Sequence, residues 1–260
     1  MAYNLKIPAL QAKLKSMHSK MLDEDDYNEL LMLDNLVDAI NMIKQRFPML
    51  VNLNENMHRK DVEVELSNIF LYDIKKIYTF LDKNEKDYCD IFLSKFSMIS
   101  DENVDIELWK KLYETSKNNR KLKELVGTEI DVMNLLWIFR SKKFFDYSSE
   151  EIKEILIPIY YRLSPKEINR LLDVNYNEFF SEINNTQYGD IIQSETNIYY
   201  DFGEYQYKKC IHIFRESSFD ISIVIAYFYL LEFEIRNIIN IIESIRYKSD
   251  KRELQKRIII

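Results

Sequence analysis

Residues 224–245 read VIAYFYLLEFEIRNIINIIESI. Val224, Phe228, Leu231, Ile235, Ile238, Ile242 and Ile245 recur at alternating spacings of four and three, an apolar seam with Glu232, Arg236 and Glu243 off it. The spacing predicts one long helix. A strand would need a short run of period two bounded by turn formers, and none occurs here. The apolar run from Ile221 stops at Glu232, well short of the ~20 residues a spanning helix requires, so no transmembrane segment is expected.

The rest of the chain agrees with that helix. With 260 residues and 47% hydrophobic content it can bury a substantial core, and a single all-helical body over residues 1–260 is expected. Only 3 Gly and 4 Pro are present, too few turn formers for a many-stranded sandwich or barrel. Cys89 and Cys210 lie far apart and no secretory signal opens the chain, so a cytoplasmic location is expected. The net charge of -7 is unevenly spread, with basic termini around an acidic body. That pattern fits solvated helix faces or a partner-facing role, and it disfavours nucleic acid, whose phosphates an acidic body repels.

Helix signals follow one another along the chain. Residues 6–17 form a basic amphipathic stretch, and Asp23 can cap a helix whose first turn is acidic. Asp34 or Asn35 begins the next, which ends near Phe47-Pro48. Long helices are expected over Val62 to Phe80 and Tyr88 to Phe96, and another over Asn103 to Ser116. Gly127 reads as a break before a helix from Thr128 to Lys143. Ser148 or Ser149 caps a short helix that Pro158 closes. Ser164-Pro165-Lys166-Glu167 supplies an N-cap, a first-turn proline and a capping-box acid in order.

Two patterns occur twice. Leu22 to Leu31 aligns without a gap to Leu163 to Leu172, and both copies continue into a second apolar helix, ending at Phe47-Pro48 and at Tyr188-Gly189. Asp131-Val132-Met133-Asn134-Leu135 matches Glu234-Ile235-Arg236-Asn237-Ile238, an acid-x-x-Asn step followed in each case by a short helix. The modules run over residues 19–98, 99–160 and 161–260, and repeats of this kind imply stacking into a funnel-like or solenoid-like body. The polar residues of the two steps either hydrogen-bond adjacent helix ends or meet a partner directly.

No glycine-rich phosphate loop is possible, because Gly127, Gly189 and Gly203 are isolated. Cys210-x-His212 lacks a second ligand pair at zinc spacing, and no acid pair stands out for acid/base work. No catalytic residue, cofactor or metal is expected.

Glu232-Phe233-Glu234-Ile235-Arg236-Asn237-Ile238-Ile239 resembles the signature helix of the C/d-subunit family of rotary V- and A-type ATPases. Ile225-Ala226-Tyr227 is similar to the opening of that helix. Ile130-Asp131-x-x-Asn134-Leu135 to Phe139-Arg140-x-Lys142 resembles a second-repeat helix, Tyr161 to Ile168 the opening of a repeat, and Asn185 to Gly189 its close. Ala9 to Met17 with Met21-Leu22 is similar to the family's first helix. The resemblance touches nearly the whole chain. It implies a funnel-shaped, non-catalytic subunit seated on the membrane rotor ring and gripping the central shaft subunits of D/F type, peripheral on the cytoplasmic face. One departure stands out: the family usually has three modules, and here the middle one is cut short after Phe92 to Phe96. A diverged scaffold with another protein partner is the alternative.

Asp131, Asn134, Arg140, Glu232, Glu234, Arg236 and Asn237 are therefore the structural or interface candidates. Arg236 and Asn237 sit between seam positions Ile235 and Ile238, so both are expected at least partly buried. Arg236 would pair with Glu232 and clamp a neighbouring module through its remaining donors.

Overall fold

A computed structural model describes residues 3–97, 105–145, 147–192, 197–216 and 220–260. The described residues are all-α: thirteen α-helices and no strand occur among them. The expected module boundary at 98/99 and the expected helix start at Asn103 lie outside the described residues. The chain divides into two compact units, one of residues 1–103 with 210–260 and one of residues 104–209. The module boundary placed at residue 161 thus falls inside the second unit.

Unit 1 contains α1 (Tyr3–His18), α2 (Glu24–Met32), α3 (Leu36–Arg46), α4 (Arg59–Ile77), α5 (Lys83–Ser97), α12 (Ser222–Tyr247) and α13 (Lys251–Gln255). Its axis is α12. The seam read from the sequence is only part of what is buried: Tyr227, Tyr229, Leu230, Phe233, Ile239 and Ile241 lie inside as well, and α1, α3, α4 and α13 pack around the helix. A helix apolar over most of its circumference must be covered over most of it, which is why the chain packs around α12. Phe228 packs against Phe70 of α4 and Phe92 of α5, with ring centroids 6.1 and 6.4 Å away. The helix stops at Lys248, whose φ of 51° is left-handed. Ser249 N–H donates to Ser244 C=O at 2.9 Å across that turn, satisfying a carbonyl that the helix end would strand.

Unit 2 contains α6 (Ile106–Ser116), α7 (Arg120–Arg140), α8 (Ser149–Ile155), α9 (Pro165–Asp173) and α10 (Tyr176–Ile183), with α11 (Ile198–Arg215) belonging to it up to Lys209. Its core joins Leu135, Ile138 and Phe139 of α7 to Ile168, Leu171 and Leu172 of α9 and Phe179 of α10. Helix α7 begins at the Asn119 cap and runs through Gly127 without interruption, so the expected break there is corrected. The glycine serves packing: a Cβ at this position would lie 2.8 Å from Cβ of Tyr161 and closer still to its Cγ. Beyond Arg140 a π-helical turn, Ser141–Phe145, leaves Phe144 and Phe145 exposed, while Lys142 reaches the carbonyls of Leu172 and Val174 at the end of α9, 2.7 and 2.5 Å away.

The caps follow the sequence closely. Asp23 and Asp26 form a reciprocal capping box on α2, and Ser164 with Glu167 forms the equivalent on α9, where Pro165 occupies the first turn. Asn35 caps α3 and Ser148 caps α8.

Candidate functional site

The repeated acid-x-x-Asn step builds the same joint in both units. In α7, Asn134 is fully buried; its Nδ2 donates to the carbonyl of Ile157 and its Oδ1 accepts the amide of Ile157, both at 2.9 Å. In α12, Asn237 does the same to Ile259, at 2.8 and 3.2 Å. The asparagine amide offers one donor and one acceptor in the spacing of a peptide group, so it stands in for a strand neighbour to a segment that has none. The segment matters because Ile157 is fully buried and its backbone is out of reach of water.

The acid one turn earlier holds the chain entering the capping-box helix. Asp131 accepts the amides of Tyr161, Arg162 and Leu163 at 3.1, 2.7 and 3.3 Å and the hydroxyl of Tyr188 at 2.9 Å. Burial pushes its carboxyl above the ordinary range, and these four donors pull the other way by favouring the anion. Glu234 accepts the amide of Leu22 at 2.5 Å. Leu22 and Leu163 are equivalent in the sequence repeat, so the two acids meet the same backbone position.

The equivalence ends there. The counterparts of Tyr161 and Arg162 are Lys20 and Met21, whose amides instead donate to Met17 and His18 carbonyls at the end of α1, at 3.1 and 3.0 Å. The counterpart of Tyr188 is Phe47, which has no hydroxyl. Among the described residues Glu234 is left with one donor, and its Oε2 is buried without a hydrogen-bond partner. Burial, with the nearby carboxylates of Asp73 and Asp26, pushes it up to about 8.

The remaining candidates divide by exposure. Glu232 pairs with Arg236, as the spacing predicts, and with Lys95 of α5 at 3.0 Å. Burial raises its carboxyl, but these two cations hold it below the usual range. The Arg236 side chain is 59% exposed, so the expected burial is corrected. Its position beside the seam faces solvent because α12 is covered over an arc that ends there. Arg140 is also exposed. Sequence reasoning missed three supports of the site: Tyr188, the packing of Tyr161 on Gly127, and the anchoring of Arg162 by Glu124 and the hydroxyl of Tyr205. The signal for the first lay in the repeat, which sets Tyr188 against Phe47.

No cluster of three or more His, Cys, Asp or Glu side chains able to hold a metal occurs among the described residues. Nor is any described helix long and apolar enough to cross a membrane. Asp131, Asn134, Glu234 and Asn237 form structural joints, each holding a backbone segment.

Comparison with known proteins gives two findings. A family model described as ATP synthase (C/AC39) subunit matches residues 10–100 and 99–257. The C subunit of the A-type ATP synthase of Methanosarcina barkeri (strain Fusaro / DSM 804) is 34% identical over 82 residues, which is 32% of this chain and 22% of that protein's length.

Proposed function

This chain belongs to the ATP synthase (C/AC39) subunit family, and from that premise we propose that it is the non-catalytic central-stalk subunit of a rotary V/A-type ATPase. In this role it couples the shaft subunits of D/F type to the membrane rotor ring, sitting peripherally on the cytoplasmic face. The family match over nearly the whole chain carries the reading.

Physical features support it. A torque-bearing part must not yield under load, and the joints give backbone segments two-point attachments to α7 and α12. Such a part must also present contact surfaces. Phe144, Phe145 and Tyr147 are 63%, 55% and 45% exposed just beyond Arg140, a concentration of aromatic surface of the kind that anchors protein interfaces.

Capture of shaft and ring subunits by the tagged chain from a membrane extract tests the role. Recovery of both is expected. A rotary complex that assembles and turns over normally without the chain would overturn the role and leave the scaffold reading. Phe144→Ser with Phe145→Ser should lower capture while leaving the melting temperature within about 2 °C, since an exposed side chain contributes little to the fold.

A further inference from the structure

Glu234 and Asp131 occupy one position in a repeated joint, yet only Asp131 is equipped to be an anion. Three amides and a phenol surround Asp131, whereas among the described residues Glu234 receives the Leu22 amide alone and keeps Oε2 buried and unpartnered. A carboxylate in such a place keeps only the Leu22 amide in exchange for the water it has lost, and burial outweighs that one donor; a carboxylic acid loses far less on burial.

The charged surroundings deepen the contrast. Asp26 of α2 and Asp73 of α4 both act on Glu234 and both disfavour a further negative charge. Arg46 of α3 acts in the other direction, but it is committed to Asp26 at 2.5 Å. Asp73 is held by Lys76 at 2.6 Å and by the hydroxyl of Tyr227, one of the groups of α12 itself that feels Glu234. On α1, His18 is turned to Phe214 and Arg215, and on α13 Lys251 is turned to Asp34.

We propose that Glu234 is a proton-held latch of unit 1: as the neutral acid it seats the chain at Leu22 against α12, and its ionisation loosens that seat. The proton released goes to solvent, and water must reach the carboxylate for the charge to persist. What opens is the joint between the start of α2 and the middle of α12, two segments 212 residues apart in sequence.

The sign is fixed by the direction of the shift. The acid is raised from 4.5 to about 8 in the folded chain, so its contribution is complete below pH ~4.5 and is lost as pH rises toward ~8. His18 works in the opposite sense. Burial, aided by Arg215, lowers it below 6.5, so its contribution is lost as pH falls.

The test compares the unfolding constants of the full chain and of Glu234→Gln between pH 5 and pH 9 by denaturant titration. Across the window from about 4.5 to 8 the parent's constant should rise relative to the variant's by up to about tenfold per pH unit, the linkage of one proton. Amide exchange at Leu22 and Asp23 should accelerate over the same range in the parent, beyond the intrinsic rise of exchange with pH, and not in Glu234→Gln. Parallel curves for the two proteins overturn the proposal. Should the variant fail to fold, carbon-13 NMR of the glutamate-labelled parent decides: one carboxyl titrating near pH 8 supports the latch, and all carboxyls titrating below pH 6 sink it.

Discussion

Asn134 and Asn237 do the same work at different depths, and depth sets their cost. Asn134→Ala strands the amide of Ile157, a fully buried residue whose carbonyl still accepts the Ile159 amide at 2.8 Å, and a loss of about 2–3 kcal/mol is expected. Asn237→Ala strands the groups of Ile259, which is only partly buried, so a loss of about 1–2 kcal/mol should follow. Urea titration of the two variants checks the order, and a costlier change at Asn237 would refute the depth argument. Arg236→Ala belongs to another class. Its guanidinium is 59% exposed, and Lys95 remains beside the buried Glu232 carboxylate, so a change below about 1 kcal/mol is expected. The acid-x-x-Asn spacing made these residues visible as a recurring unit. Which of their neighbours would be buried was not visible, because a helix wheel shows a seam but not the width of the arc that other helices cover.

Glycine has two opposite meanings at the level of the element. Inside an exposed helix, Gly to Ala gains about 1 kcal/mol from propensity. At Gly127 the new methyl group meets the Cβ of Tyr161 at 2.8 Å and its Cγ closer still, atoms that cannot swing away without moving the chain before α9. Overpacking of about 1–3 kcal/mol outweighs or cancels that gain, so Gly127→Ala should bring a net loss of stability of up to about 2 kcal/mol. At the end of α12 the preference reverses. Lys248 holds a left-handed backbone that glycine adopts without a Cβ penalty, so Lys248→Gly should stabilise by about 0.5–1 kcal/mol. Thermal melts of both variants test the pair; a stabilised Gly127→Ala would mean that Tyr161 repacks freely. Helix starts were legible because caps are local chemistry: Asp23, Asn35, Ser148 and Ser164 each hydrogen-bond amides two or three residues away. Gly127 was misread because its role depends on a tyrosine 34 residues further along the chain.

Across the whole molecule, the two units differ in how far apart their joined pieces lie in sequence. Asp131 meets Leu163 over 32 residues, whereas Glu234 meets Leu22 over 212. The longer closure costs about 1.7 kcal/mol more in chain entropy. Unit 2 should therefore gain its protection first: in pulsed amide exchange during refolding, α7 and α9 are expected to be protected before α4. Protection of α4 ahead of α9 would contradict this ordering.

The sequence by itself determined the helical class, the long C-terminal helix, most caps and the two repeated patterns, because each rests on periodicity or on hydrogen bonds spanning three or four residues. Family membership was legible for the same reason, since the signature lies within one helix. Only the tertiary structure decided that the repeated acid meets the repeated leucine amide, that Arg236 faces solvent, and that Glu234 lacks the donors Asp131 enjoys. Those outcomes depend on which distant segment fills the space beside a side chain. In unit 1 the end of α1 takes up two amides, and Phe47 stands where unit 2 has the hydroxyl of Tyr188.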